Sequence, residues 1–464
     1  MIMLTLREAA ALIDGAIILG DDDTITFEHI STDTRDCRPT SLFVALQGAR
    51  FDAHDFLSEL SQRNIAAALV SRTPRDWYVP TIRVANTRAA LGELAAGWRR
   101  RFTLPLIIVA GSNGKTTVKE MIASIFSAAL AHHTQWLSTQ GNLNNDIGLP
   151  LTLLRLRPQH RLAVVELGIN HPGETRQLAR IAGPTIGLVN NAQREHQEFM
   201  LTVESVAIEH ANVLYALPPG GTAVFPADDL YTEIWRVAAT GNPIVDFAMC
   251  RPGTSSTAAV QGTIMDTGAL RIKTRTGMFE VSLRVPSAHN ALAATAATLA
   301  AGVGLAAIRR GLEAFEPVDG RLQTKLAQIM PWAGAMVIDD TYNANPDSMR
   351  AAIDVLAMRP EPRVFVMGDM GEVGKNGPAF HHEVGSYARN RGLTVMYALG
   401  DASRNACIAF GQNAYHFDSV DALVSALLHK DAVPLHGAAS ATILVKGSRF
   451  MCMERVVRAL STPM

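Results

Sequence analysis

The stretch LPLIIVAGSNGKTTVKEMIASIF, residues 104–126, decides the fold. An unbroken apolar run leads through a turn of small residues directly into an apolar, Ala-bearing segment with helical character. Apolar strands without alternation belong to sheets covered on both faces. A glycine turn between such a strand and a helix lets backbone N–H groups approach an anion, and the helix N-terminus adds favourable partial charge. Gly111, Ser112, Asn113, Gly114, Lys115, Thr116 and Thr117 therefore form a candidate phosphate loop. Lys115 would neutralise β and γ phosphates, and the Thr116 hydroxyl would reach Mg2+. The usual GxxxxGK[ST] spacing has a glycine where Val109 stands, so the loop is a variant of that pattern; an ordinary glycine turn is the competing reading.

Outward from this stretch the same alternation continues. Apolar strands LAVVEL (162–167), TIGLVN (185–190) and TAVF (222–225) follow with helical segments between them, which predicts a parallel sheet with helices on both faces. Residues 254–285 lose helical periodicity and read as a β extension (TIMD, ALRIKT, MFEVSLRV), before Ala-rich helices resume at 288–315. A turn-rich break at 316–321 precedes a second series, AMVID (335–339), RVFVMG (363–368), TVMYALG (394–400) and ATILVKG (441–447), with the rhythm of a Rossmann-like sheet. Before residue 100, short apolar runs and a helical segment from Asn86 to Arg101 read as a small α/β unit, and residues 4–14 as an amphipathic helix. The expected class is α/β in three domains: residues 1–100, a central phosphate-loop domain with a β extension over 101–318, and a C-terminal Rossmann-like domain over 319–464.

Composition narrows the partners. The 464 residues carry 42 Lys plus Arg against 43 Asp plus Glu, a net charge of −1, with 48% hydrophobic residues. That balance excludes a disordered chain and argues against a coat for nucleic acid or an anionic membrane. Four scattered cysteines without a CxxC pair suit a reducing compartment, and no run of about 18 apolar residues occurs, so a cytoplasmic protein is expected.

Further candidate residues lie at strand ends, where ligands collect in parallel sheets. Glu166 closes LAVVE beside the phosphate loop, as a metal-binding carboxylate should, although a solvated or helix-capping role is the alternative. His196 follows the next strand. Asn142, Asn144 and Asn145, in GNLNNDIGLP, offer uncharged amides to a polar substrate or simply form turns. In the last domain Asp340 could accept from ribose hydroxyls within DDTYNANP, and Lys446 would face a substrate or phosphate.

Taken in order, GSNGKTT, GNLNNDIGLP, ELGINHPGE, AHNA, DDTYNANPDSM, GDMGEVG and VKGSR, with STDTR (31–35) and LQGARFDAHDF (46–56), resemble the Mur ligases of peptidoglycan synthesis over nearly the whole chain. NANP, in place of a DNPR-type motif, resembles the branch that adds D-alanyl-D-alanine. The resemblance implies a UDP-binding domain, an ATPase domain and a closing C-terminal domain. It implies an ATP-dependent, Mg2+-requiring amide ligase, working as a cytoplasmic monomer, that joins D-alanyl-D-alanine to UDP-N-acetylmuramoyl-tripeptide through an acyl phosphate. Carried over by motif, Lys115 and Thr116 hold phosphates and metal, Glu166 and His196 support Mg2+, Asn290 contacts adenine, Arg321 approaches the phosphates and Asp340 takes the ribose. Ser31, Thr32 and Arg35 line the UDP site, and Asn343, Asn345 and Lys446 face substrate. A folylpolyglutamate synthase-like ligase and a non-catalytic nucleotide-binding regulator are the alternatives. The STDTR domain argues against the first and the retained motif residues against the second.

The chain departs from the family pattern at Ala53, where the N-terminal motif frequently has a glycine, and at two neighbouring places in the central domain. Related ligases often carry a lysine, modified to a carbamate that binds a second Mg2+, in a segment like AKAKGEI. Here AIEHANV places His210 at that position with Glu209 beside it, and a histidine forms no such carbamate. Glu209, or a water network, is the expected substitute for the missing anionic oxygen. The histidine loop reads NNAQREHQEFM instead of NxxxAHLExFG, keeping His196 and Glu198.

Overall fold

A computed structural model describes residues 2–48, 50–75, 77–254, 256–284, 287–429 and 438–461. Residue 49 of the LQGARFDAHDF stretch, residue 285 at the end of MFEVSLRV and the last three residues of the C-terminal unit lie outside the described residues. The phosphate-loop strand Leu106–Ala110 is the middle strand of an all-parallel five-stranded sheet. Across it the order is Thr222–Val224, Ile186–Val189, Leu106–Ala110, Leu162–Glu166 and Trp136–Ser138. Val109 pairs with Glu166 on one side and with Leu188 on the other, so three strands end at the same level. Every residue of the middle strand is buried, Val109 included, which explains the variant loop: the strand continues through the position where the usual pattern has its first glycine.

Four further strands, Phe247–Met249, Val260–Ile264, Leu270–Thr274 and Gly277–Val281, form the expected β extension. The C-terminal unit is a six-stranded sheet in which Gln323–Leu326 runs antiparallel to Met336–Asp340 and the remaining neighbours are parallel. The N-terminal unit carries a five-stranded sheet and a two-stranded pair, Leu4–Thr5 with Thr26–Phe27. That pair shortens the expected helix over 4–14 to Leu6–Ala10, because Thr5 leaves the strand to cap it: its hydroxyl accepts from Glu8 N at 3.1 Å, and the Glu8 carboxylate accepts from Thr5 N at 2.8 Å. The helix expected from Asn86 spans Thr87–Arg99, with Asn86 as its cap. No helix among the described residues is long and apolar enough to cross a membrane.

The first hundred residues share a core with the central sheet. Leu91, Leu94 and Ala95 pack in one continuous cluster with Leu149, Leu153 and Val165. Trp98 Nε1 donates to Leu156 O at 3.2 Å within this contact. On the opposite face the helix Lys115–Ala129, which starts at the phosphate loop, packs against Ala288–Ala300 and Leu305–Ala314. The last contact is backbone against backbone. A Cβ at Gly311 would lie 2.4 Å from Ile125 Cα, and Ser124 Oγ donates to Gly311 O at 2.7 Å.

This contact sets where the phosphate-loop helix lies. Gly311→Ala gains helix propensity of about 1 kcal/mol but overpacks a backbone contact at ~1–3 kcal/mol. The expected outcome is a lower melting temperature, with a larger drop when ATP is present than when it is absent, read by thermal melts of both states.

Candidate active site

The parallel register delivers three loops to one edge of the central sheet. Gly114 is the hinge of the first, with φ +79° at the cap of the helix Lys115–Ala129. A Cβ there would meet Asn290 Oδ1 at 2.5 Å and Asn190 Nδ2 at 2.9 Å. The loop is cross-braced by amides: Asn190 Nδ2 donates to Asn113 O at 2.8 Å and to Asn290 Oδ1 at 3.0 Å, and Asn191 Oδ1 accepts from Asn113 N at 2.9 Å. Asn290, expected near adenine, thus packs directly behind the phosphate loop.

A cavity of about 890 Å³ opens over this edge. Its lining includes the loop residues from Ser112 to Thr117 together with Asn144, Asn145, Glu166, His196 and Asn290. From the C-terminal unit and the connection to it come Arg321, Asp340, Asn343, Asn345 and Lys446. Arg321 lies over the Tyr342 ring at 3.9 Å and its Nη2 donates to Thr116 Oγ1 at 3.1 Å. Asn345 caps the helix Pro346–Ala357 and donates from Nδ2 to Asn113 Oδ1 at 2.9 Å. Asp340 and Lys446 form a buried ion pair of 2.6 Å, and Lys446 also donates to Asn343 O at 2.8 Å.

Glu166 accepts from Thr116 Oγ1 at 3.2 Å and from Asn144 Nδ2 at 2.8 Å through Oε1. Its Oε2 is buried without a hydrogen-bond partner. An orphaned carboxylate oxygen beside a threonine hydroxyl and a phosphate loop fits a hard divalent cation that takes its remaining oxygens from nucleotide and water.

Some expected residues lie elsewhere. Asn142 does not line the cavity. Asn145 reaches it but spends its carbonyl on capping, accepting from Gly148 N at 2.9 Å. Ser31, Thr32 and Arg35 sit in the N-terminal unit away from this cavity, with Arg35 exposed and paired to Asp33 at 2.6 Å. Glu209 is displaced from the expected role: its carboxylate accepts from Gly173 N at 3.0 Å and Thr175 N at 2.9 Å, capping the helix Glu174–Ala182. Free backbone N–H groups at a helix start claim a nearby carboxylate, which turns Glu209 away from the phosphates.

A further acid at the site is Glu195, which sequence reading passed over. It is buried, its Oε2 3.2 Å from Lys115 Nζ and its Oε1 2.9 Å from Nε2 of the buried His210. Burial alone would raise its pKa; Lys115 and His210 outweigh that and hold it at about 2. Next to it, His196 adopts a left-handed backbone (φ 47°) and places Nδ1 2.6 Å from Glu372 Oε2, a close contact without the alignment of a hydrogen bond.

Arg194, also unassigned from sequence, clasps the two units. Its backbone N and side chain donate to Asp347, its guanidinium also binds Glu383 at 2.7 Å, and it lies over the Phe380 ring at 5.2 Å. Burial works to raise the Asp347 pKa, but Arg194 dominates and lowers it; Arg194 likewise lowers that of Glu383. For Glu195 the available signal is the departure of NNAQREHQEFM from the family pattern, where Glu195 stands in place of the alanine before the histidine; Arg194 falls at a position the pattern leaves open.

Three family models match successive parts of the chain. The model of the Mur ligase family catalytic domain matches residues 26–99, that of the Mur ligase middle domain residues 109–301, and that of the Mur ligase glutamate ligase domain residues 320–449. The chain belongs to the Mur ligase family. Among its members, UDP-N-acetylmuramoyl-tripeptide--D-alanyl-D-alanine ligase of Escherichia coli (strain K12) is 38% identical over 464 residues, covering 99% of both chains. The enzyme of that name from Haemophilus influenzae is 35% identical, again over 99% of both. The crystal structure of MurF from Acinetobacter baumannii superposes with a TM-score of 0.87 at 33% identity, covering 98% of this chain and 97% of that one.

Two outcomes follow from this geometry. Gly114→Ala forces a side chain into left-handed backbone and into Asn290, so nucleotide affinity measured calorimetrically should fall at least about tenfold. Arg194→Ala should enlarge the radius of gyration in small-angle scattering. In the unaltered protein both carboxyl partners are held below their ordinary values, so the clasp is fully present above the ordinary carboxylate range and is lost only as pH falls through it, below about 4.

Proposed function

We propose that this chain is a cytoplasmic, monomeric, Mg2+-dependent ligase that uses ATP to join D-alanyl-D-alanine to UDP-N-acetylmuramoyl-tripeptide, releasing ADP and phosphate. The observation that carries the reading is the meeting of Lys115, Thr116 and Glu166 with Arg321 in one cavity, in a chain that aligns end to end with ligases of that name.

A carboxylate is a poor electrophile because its carbonyl carbon shares the negative charge. Attack of one of its oxygens on the γ phosphorus expels ADP and leaves an acyl phosphate; the amine of the dipeptide then adds to the carbonyl carbon, loses its proton, and phosphate departs. The loop backbone and Lys115 position the triphosphate, and Arg321 supplies a guanidinium from the opposite wall as charge builds on the transferred phosphoryl group. Thr116 and Glu166 would hold Mg2+, which when bound neutralises the phosphate oxygens. Asn290 and Asp340 would meet adenine and ribose. Asp340 would do so through Oδ1, which also accepts from Leu322 N at 3.3 Å, while Asn343 and Asn345 would border the incoming dipeptide. Ser31, Thr32 and Arg35 would receive the UDP end.

The deciding measurement is phosphate release from ATP with UDP-N-acetylmuramoyl-tripeptide, with and without D-alanyl-D-alanine. Release that needs both substrates is the expected result. Nucleotide binding without turnover would favour a regulator, and turnover with a folate substrate and glutamate would favour the folate branch. Lys115→Ala should reduce turnover by about 10³-fold or more, since it removes the cation nearest the transferred group.

A further inference from the structure

The acidic residue buried beside the phosphate loop has no role in the chemistry above. Glu195 lines the cavity, and its two oxygens face different partners. Oε1 is held at 2.9 Å by Nε2 of His210, which projects from the helix Val203–Tyr215 and is itself buried. That contact requires Nε2 to carry a proton, and the other ring nitrogen, Nδ1, is buried without a partner. Oε2 points the other way, 3.2 Å from Lys115 Nζ and 3.9 Å from His196 Nε2.

Lys115 is folded back onto its own loop, donating to Gly111 O and to Ser112 O at 3.2 Å. A triphosphate seated in the loop draws that ammonium away to its own oxygens. Glu195 is then a buried carboxylate facing a polyanion with its cation removed, and His210 prevents it from turning aside. A cation between Oε2 and the phosphate oxygens resolves the conflict, and the hard carboxylate and phosphate oxygens suit Mg2+ or Mn2+.

We infer that Glu195, aimed by His210, is a ligand for a second divalent cation that enters with the nucleotide, distinct from the cation at Glu166 and Thr116. Glu195 and His210 would together do in encoded side chains what related ligases do with a modified lysine, so this chain needs no carbon dioxide to complete its metal site. Glu209, occupied by the helix Glu174–Ala182, takes no part. The inference rests on the ligase reading for its nucleotide and substrate, but its test does not depend on turnover.

The experiment counts Mn2+ bound to the full chain by electron paramagnetic resonance, with a non-hydrolysable ATP analogue present. The wild type should bind two Mn2+ per analogue. Glu195→Gln, which preserves shape and the acceptor for His210, should bind one, with its melting temperature recorded as a check of folding. Glu195→Asp keeps the charge and should retain the second ion with weaker affinity. His210→Gln, acting through Glu195, should weaken the second ion about 10–100-fold and leave the first unchanged. Two ions of unaltered affinity in Glu195→Gln, or a single ion in the wild type, would overturn the assignment. If Glu195→Gln fails to fold, unaltered affinity for both ions in His210→Gln and Glu195→Asp would do the same. Two ions in the wild type without phosphate release under any substrate combination would instead sink the ligase reading and leave the metal assignment standing.

Discussion

The arrangement depends on one constraint, the parallel register of Leu106–Ala110, Leu162–Glu166 and Ile186–Val189. Parallel strands in register must end together, and the chain beyond each end must turn at the same edge. Gly111–Gly114, the segment after Glu166 and the loop from Asn190 to His196 therefore converge whatever their own preferences. The side chains of these loops then satisfy one another: Asn190 and Asn191 brace Asn113, and Glu195 meets Lys115. The C-terminal sheet adds a second wall, bringing Arg321 onto Thr116 and Asn345 onto Asn113.

What the sequence discloses of this site is what repeats locally. The phosphate loop follows from a strand, small residues and a helix in immediate succession, and Glu166 follows from its place at the end of the next strand. The β extension and the C-terminal series are visible because the apolar period changes where they begin. Thr5 shows the opposite case, since only its partner strand at Thr26–Phe27 reveals that it ends one element and caps another.

Long-range pairing is where sequence reading failed. Glu209 and Glu195 are equally plausible acids beside a phosphate loop until the helix Glu174–Ala182 is seen to take the first. His210 gains meaning only when helix Val203–Tyr215 brings it to a residue 15 positions earlier. The two changes that look like separate departures, a histidine for a lysine and a glutamate for the alanine before His196, are one contact in space.

Arg194, Glu195 and His196 are consecutive, yet they face two bodies: Arg194 binds Asp347 and Glu383 and His196 meets Glu372, all of the C-terminal unit, while Glu195 between them is held by Lys115 and His210 of the central unit. Neighbouring Cα atoms lie about 3.8 Å apart, so such a tripeptide has no slack to absorb relative motion. Withdrawal of the C-terminal sheet pulls on the backbone at Arg194 N itself, and the carboxylate and imidazole that follow are carried with it. Opening the cleft and unmaking its acidic wall would then be one movement.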